Sequence, residues 1–235
     1  MRKTILFDLD GTLLPMDQDL FLKDYFTRLT TRLAAHGYDP QKLVKAVWAG
    51  TEAMVGNDGT VTNEEAFWKT MCRIFGQGVK QDEKIFEEFY HEGFPLVRES
   101  CGYNPLAAEL IHLLQEKGYR LILATNPVFP AVATHQRIRW AGLTPEDFEL
   151  VTTYENSSYC KPNPEYYRQI LKTIGAEPSA CMMIGNDVTE DMIAKRMGME
   201  EYLITDCMIN KAGEDISCYR HGTMEELVAF AKENM

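Results

Sequence analysis

Phe7-Asp8-Leu9-Asp10-Gly11-Thr12-Leu13-Leu14 is the stretch on which the reading of this chain turns. The apolar run Ile5-Leu6-Phe7 leads into it and reads as a buried strand. Two carboxylates, two residues apart, leave that strand, and Gly11-Thr12 turn the chain at once. A strand end built this way offers a carboxylate nucleophile, a second acid for moving protons and a seat for a hard cation. Each of these uses needs oxygen atoms held close together.

Outward from this segment, the first strand takes residues 3 to 8. A long helical stretch follows. Residues 18 to 36 carry Phe21, Leu22, Tyr25, Phe26, Leu29 and Leu33 at spacings of three and four, and Gly37 ends the pattern. Residues 40 to 55 repeat it with Leu43, Val44, Val47, Trp48 and Met54. Gly56-Asn57-Asp58-Gly59 is a turn, Thr62-x-x-Glu65 is a capping box for a third helix through Phe75, and residues 82 to 92 form a fourth. Nothing between 17 and 95 reads as a strand.

From about residue 100 the pattern alternates. Asn104-Pro105 opens a helix, Tyr119–Thr125 is a strand, residues 130 to 141 a helix and 148 to 152 a short strand. Asn163-Pro164 opens another helix, Cys181–Ile184 is a strand, 188 to 197 a helix, Glu201–Ile204 a strand, and Thr223-x-x-Glu226 caps the last helix. This alternation predicts an α/β fold, a parallel sheet covered on both faces. The all-helical block then reads as a module inserted into that core, because two consecutive domains would leave residues 3 to 14 as a strand without a sheet.

The bulk numbers narrow the function. With 45% hydrophobic residues the chain can bury a sizeable core. A net charge of −11 argues against a nucleic-acid partner, which needs a basic face. An acidic protein still binds a phosphate ester where a metal and one lysine focus positive charge. The six cysteines include no C-x-x-C pair and the five histidines no H-x-x-x-H pair, so reduced thiols and no zinc site are expected. Met-Arg-Lys leads straight into the first strand without a signal-peptide apolar region, and no stretch has the length to span a membrane. A cytoplasmic protein without a membrane partner is the expectation; oligomeric state is not legible. P-loop, G-x-G-x-x-G and G-x-S-x-G motifs are absent.

Four segments place polar groups just past an apolar strand or at a helix start: Asp8-Leu9-Asp10, Thr125-Asn126, Lys161-Pro162-Asn163-Pro164, and Gly185-Asn186-Asp187 with Asp191 beyond. In an open parallel sheet, ligands bind at the carboxyl ends of the strands, so these segments are expected to converge. Their order resembles the haloacid dehalogenase-like (HAD) superfamily: Asp8-Leu9-Asp10-Gly11-Thr12 is similar to its D-x-D-G-T motif, Thr125 to the second motif, Lys161 before Pro162 to the third, and Asp187 with Asp191 to the acidic fourth. The likeness spans residues 5 to 191. It implies a Rossmann-like core of residues 1–16 and 96–235 and a helical type 1 cap of residues 17–95. Many members carry Asp directly after the glycine of the fourth motif, where this chain has Asn186; Asp187, one place later, is the preferred metal ligand and Asn186 the contender.

The resemblance implies a magnesium-dependent phosphatase acting on a small-molecule phosphate monoester through an aspartyl-phosphate. Asp8 is the expected nucleophile, with Mg2+ neutralising the charge of its target. Asp10 is the acid, then the base, and its presence separates phosphatase from dehalogenase, since a halide needs no proton. Thr125, Asn126 and Lys161 would hold the phosphoryl group. Asp8, the Asp10 backbone carbonyl and Asp187 would hold the metal, and Asp191 would orient Lys161 or the metal waters. A phosphomutase on the same scaffold and a catalytically silent binding protein are the alternatives. Each residue also has a plainer use: turn formation for Asp8 and Asp10, a strand-end cap for Thr125, a solvated surface for Lys161, a helix start for Asp191. In the cap, the turn Gly50–Thr60 with Trp48, Asn57 and Asp58 is the candidate for the face that selects the leaving group, or else a simple helix connection.

Overall fold

The computed structural model describes residues 3–235. Six strands are present: β1 (Thr4–Phe7), β2 (Arg120–Leu123), β3 (Leu150–Val151), β4 (Cys181–Gly185), β5 (Glu200–Ile204) and β6 (His221–Gly222). They form one sheet in the order β3-β2-β1-β4-β5-β6, and every pairing is parallel. The chain's first strand is therefore central, with Thr4 opposite both Arg120 and Cys181.

Successive residues of a strand face opposite sides, and β1 is buried on both. Ile5 and Phe7 join one apolar cluster with Leu110 of α5 (Pro105–Glu116), Ile138 of α6 (Ala131–Trp140) and Leu227 of α8 (Met224–Asn234). Leu6 joins a second cluster with Tyr166 and Tyr167 of α7 (Pro164–Ile174). The result is the expected α/β fold, a parallel sheet with helices on both faces.

Between β1 and β2 the chain forms α1 (Gln18–Ala34), α2 (Pro40–Val55), α3 (Asn63–Phe75) and α4 (Glu83–Glu92), and no described strand falls among them. Their starts are set locally. Asp17 and Asp39 accept from the backbone N–H three residues on, at 3.0 and 2.7 Å, and Thr62 with Glu65 makes the expected capping box. Their apolar faces, including Phe21, Leu43 and Trp68, continue the first cluster, so these helices share a core with one face of the sheet. The start of α3 is moored to a distant loop: Asn63 and Glu64 N–H donate to the Ser157 and Tyr154 carbonyls at 2.8 and 2.9 Å. The fully buried Asn63 amide adds a bond to the Pro127 carbonyl at 3.2 Å.

Two elements differ from the sequence expectation. Residues 188 to 197 do not form one α-helix. Residues 186 to 188 stay extended beside Ile209, with Val188 N–H on the Ile209 carbonyl and Ile209 N–H on the Asn186 carbonyl, so only a 3₁₀ turn over Met192–Met197 follows. Strand β6 is unanticipated; two residues carry no apolar run to announce it. The six cysteines form no disulfide, and no described helix is long and apolar enough to cross a membrane.

Candidate active site

Because β1, β2 and β4 run parallel and in register, their carboxyl ends lie side by side. The ladder continues past β1: Asp8 N–H donates to the Ile184 carbonyl at 2.9 Å and Ala124 N–H to the Phe7 carbonyl at 2.7 Å. Asp8 and Asn186 are thus the first residues off β1 and β4, and Thr125 is the second residue off β2. The turn after Asp8 is tight. Gly11 has φ +86°, and a Cβ there would sit 2.3 Å from the Asn186 amide nitrogen, so glycine is required twice over. Thr12 closes the turn, its hydroxyl 3.0 Å from Asn186 Oδ1 and 3.3 Å from Asp8 Oδ2.

Lys161, expected at this edge, is 1% exposed. Its Nζ donates to Asp8 Oδ1 at 2.8 Å and to Asp191 Oδ1 at 2.6 Å. Burial alone would drive the ammonium toward neutrality; the two carboxylates outweigh it and hold its pKa well above the ordinary lysine value. The Asp191 carboxylate also accepts from Asp187 N–H at 3.0 Å, which fixes it as the anchor for Lys161. Asp8, Lys161 and Asp191 form a buried carboxylate–ammonium–carboxylate row assembled from the end of β1, the loop before α7 and the turn after β4.

Asp10 has a partner that sequence reasoning missed. Arg137 of α6, 1% exposed, donates from Nη1 to Asp10 Oδ2. The guanidinium also lies 4.6 Å from the Phe129 ring centroid. Asp10 Oδ1 is buried and has no partner among the described residues. Burial raises the Asp10 pKa, and the Asp8 charge adds to this, while Arg137 pulls it back. The one signal in the sequence was position: Arg137 stands on the buried stripe with Ala133, Thr134 and Ile138, where an arginine is out of place unless paired.

A family model described as haloacid dehalogenase-like hydrolase matches residues 2–198. The chain belongs to this family. Among curated relatives of this hydrolase, a phosphoglycolate phosphatase from Mesorhizobium japonicum is 27% identical over 198 residues, covering 84% of this chain and 80% of the relative. Among solved structures, the 2-haloacid dehalogenase from Pseudomonas syringae pv. Tomato DC3000 superposes with a TM-score of 0.64 at 19% identity, covering 97% of this chain and 96% of that one. The HAD-hydrolase YfnB from Bacillus subtilis, bound to magnesium in its structure, gives 0.58 at 18%, covering 98% and 99%. These structural likenesses speak to the fold.

The remaining expected residues of the HAD hydrolase divide into those that face the Asp8 turn and those that brace it. Asn126 is a brace: its amide donates to Glu190 Oε2 at 3.0 Å and its Oδ1 accepts from Lys161 N–H at 3.2 Å. Burial pushes the Glu190 carboxyl up to about 7. Thr125 is buried, its carbonyl pinned by the Thr152 and Tyr166 hydroxyls at 2.7 and 2.8 Å. Of the two fourth-motif candidates, Asn186 is the one hydrogen-bonded into the Asp8 turn. Asp187 bends back on its own chain, with Oδ1 accepting from Thr189 and Glu190 N–H at 2.7 and 2.9 Å.

The donor set bears on the cation the family implies. Among the described residues no three His, Cys, Asp or Glu side chains gather round one point. The Asp8 carboxylate and the Asn186 amide oxygen meet at the Thr12 hydroxyl. The backbone bonds of the turn, Gly11 N–H to Leu14 O and Leu14 N–H to Leu9 O, do not use the Asp10 carbonyl. These are hard oxygen donors, few in number, which suits a cation that keeps most of its water, as Mg2+ does. They fit such an ion; they do not fit zinc.

Proposed function

We propose that this chain hydrolyses a small phosphate monoester by way of a phosphorylated Asp8, with Mg2+ as cofactor. The observation that carries this reading is the pairing of two differently treated carboxylates on one strand end. Asp8 accepts a hydrogen bond from the Lys161 ammonium, whereas Asp10 is half-buried, with one buried oxygen unpartnered among the described residues and its pKa raised by desolvation. Environments that drive two acids apart assign nucleophile and proton carrier.

In the first step Asp8 attacks phosphorus and the bond to the ester oxygen breaks. Asp10 gives its proton to that leaving oxygen. In the second step Asp10 takes a proton from water, the water oxygen bonds to phosphorus, and the bond to Asp8 breaks, releasing phosphate. Lys161 places its positive charge beside Asp8 and the arriving phosphoryl oxygens throughout. Thr125 supplies a hydroxyl at the neighbouring strand end, and Asn126 holds the Lys161 loop. Asp191 positions Lys161. Asp8, the Asp10 carbonyl and a side-chain oxygen of the Asn186-Asp187 pair would hold Mg2+, which would supply positive charge against the phosphoryl oxygens. The segment 17–95 acts as a cap over the core of residues 1–16 and 96–235, moored at Asn63, and keeps bulk water from the reacting atoms. The phosphoglycolate phosphatase relative supports the reaction class.

The test is Asp8→Asn with p-nitrophenyl phosphate as substrate. The reading expects loss of Mg2+-dependent phosphate release with an unchanged circular dichroism spectrum. Retention of full activity would refute it.

A further inference from the structure

A cavity of about 500 Å3 lies between the helices α1 to α4 and the loop that follows Asn126. Its walls are mostly aromatic: Trp48, Phe67, Trp68, Phe86 and Tyr90 from the helical side, with Phe129 from the loop. Phe129 is also the ring stacked on Arg137, and Arg137 holds Asp10. Two side chains, Phe129 and Arg137, thus separate the cavity from the proposed proton carrier.

Its charge is of one sign. Glu64, Glu83, Glu87 and Glu155 stand in the lining, and among the described residues no Lys, Arg or His does. Among the described residues Glu64, Glu83 and Glu155 make no ion pair. Glu155 is turned onto the start of α6, accepting from Ala131 N–H at 2.8 Å. Burial raises the Glu64 pKa, and Glu155 and Glu83 raise it further by repulsion. The Trp68 indole is 94% buried in the wall (6% exposed); its N–H lies beside the Tyr154 hydroxyl, another lining residue, so the ring is what it offers the cavity.

Aromatic faces surrounded by uncompensated carboxylates attract a positive charge carried on apolar substituents. The same walls repel a second anion, which nothing in the lining could neutralise. We propose that this cavity binds an organic cation, an alkyl- or arylammonium group, and that this group is the leaving-group end of the phosphate ester. The second half rests on the phosphatase reading above. It sets this chain apart from a phosphatase for a carboxylated ester such as phosphoglycolate.

The probes are a pair of equal shape and different charge: choline and its neutral analogue 3,3-dimethylbutan-1-ol, with glycolate as the anion. Binding to wild-type protein is read by tryptophan fluorescence, since two of the three tryptophans, Trp48 and Trp68, line the cavity. Choline is expected to bind about 10-fold more tightly than the neutral alcohol, the size expected of cation–π and charge attraction combined. Equal or weaker binding of choline, or tighter binding of glycolate, would overturn the cation assignment. Turnover is read in parallel with phosphocholine, 3,3-dimethylbutyl phosphate and phosphoglycolate, with p-nitrophenyl phosphate as the general control. The ratio of kcat/KM for phosphocholine to that for the neutral ester is expected to fall about 10-fold in the Glu64→Gln/Glu83→Gln variant, because leaving-group reactivity cancels in that comparison. An unchanged ratio would refute the role of the carboxylates. Choline binding without hydrolysis of any ester would leave the site standing and remove the phosphatase reading; hydrolysis of p-nitrophenyl phosphate with a preference for phosphoglycolate would do the reverse.

Discussion

The strand-end cluster and the aromatic cavity are neighbours with opposite ways of handling charge. At the strand ends every buried charge has a partner: Lys161 sits between Asp8 and Asp191, and Arg137 is set against Asp10. In the cavity the charges are all negative, and among the described residues Glu64, Glu83 and Glu155 make no ion pair. In the reading proposed above, the paired region receives a phosphoryl dianion without being tied to one ester. The negative wall of the second region then favours esters with a cationic end. That proposal assigns chemistry and selectivity to separate sets of residues, joined through Phe129 and Arg137.

The largest effect should come from breaking the paired region at its centre. Lys161→Met leaves two buried carboxylates facing each other, and removal of one partner of a buried ion pair costs about 3–5 kcal/mol of stability. Chemical denaturation should show that loss, together with the disappearance of turnover. Native-like stability in this variant would mean that the row Asp8–Lys161–Asp191 is not the strut described here.

Next is the joint between the two regions. The Asp10 pKa is raised by burial and lowered by Arg137. As an acid Asp10 works below its pKa, so activity falls as pH rises through that value. Arg137→Met removes the lowering influence and should move the alkaline limb of the kcat profile upward by about 1–3 pH units, the usual range for one close opposite charge. A limb that stays in place would separate Asp10 from the proton transfer.

The metal ligand is a finer division. Asn186→Ala should weaken the apparent Mg2+ affinity on the order of 10-fold, since it faces the Asp8 turn. Asp187→Ala, whose carboxylate caps the turn at Thr189 and Glu190, should chiefly lower stability, by about 1 kcal/mol. Mg2+ titrations of the two variants decide between them; the reverse pattern would restore the ligand first expected from the sequence. Smallest is Asp58→Ala, in the turn proposed as a selective face. Asp58 accepts from Thr60 N–H at 3.0 Å, and Asn57 bonds to Val61 and Asn63, so both fold the turn. Of residues 48 and 50 to 60, Trp48 and Thr51 line the cavity, whereas Asn57 and Asp58 do not. Substrate preference should be unchanged in Asp58→Ala, with only a slight fall in Tm.

Much of this arrangement was legible in the chain because the relevant signals are local. Thr62, Asn104, Asn163 and Thr223 each mark a helix start, and each cap is present in the structure. The run Ile5-Leu6-Phe7 declared a strand buried on both faces. What escaped was set by distant contacts. Residues 186 to 188 are kept extended by Ile209, which no periodicity reveals. Arg137 finds Asp10 across 127 positions. The carboxylates of the cavity come from α3, α4 and the loop at Glu155, and only the fold brings them to one wall. The structure also gives some candidate residues hydrogen bonds of their own: Asn126 braces the Lys161 loop, and Asn57 and Asp58 bond within their turn.

The central claim is covalent catalysis at Asp8. The direct measurement is to quench the protein during turnover of p-nitrophenyl phosphate with borohydride, which reduces an acyl phosphate to the alcohol, and to map the product by peptide mass spectrometry. Conversion of Asp8 to homoserine, dependent on substrate and absent from Asp8→Asn, is the result expected. Phosphate release with Asp8 unmodified and another residue labelled would contradict the account.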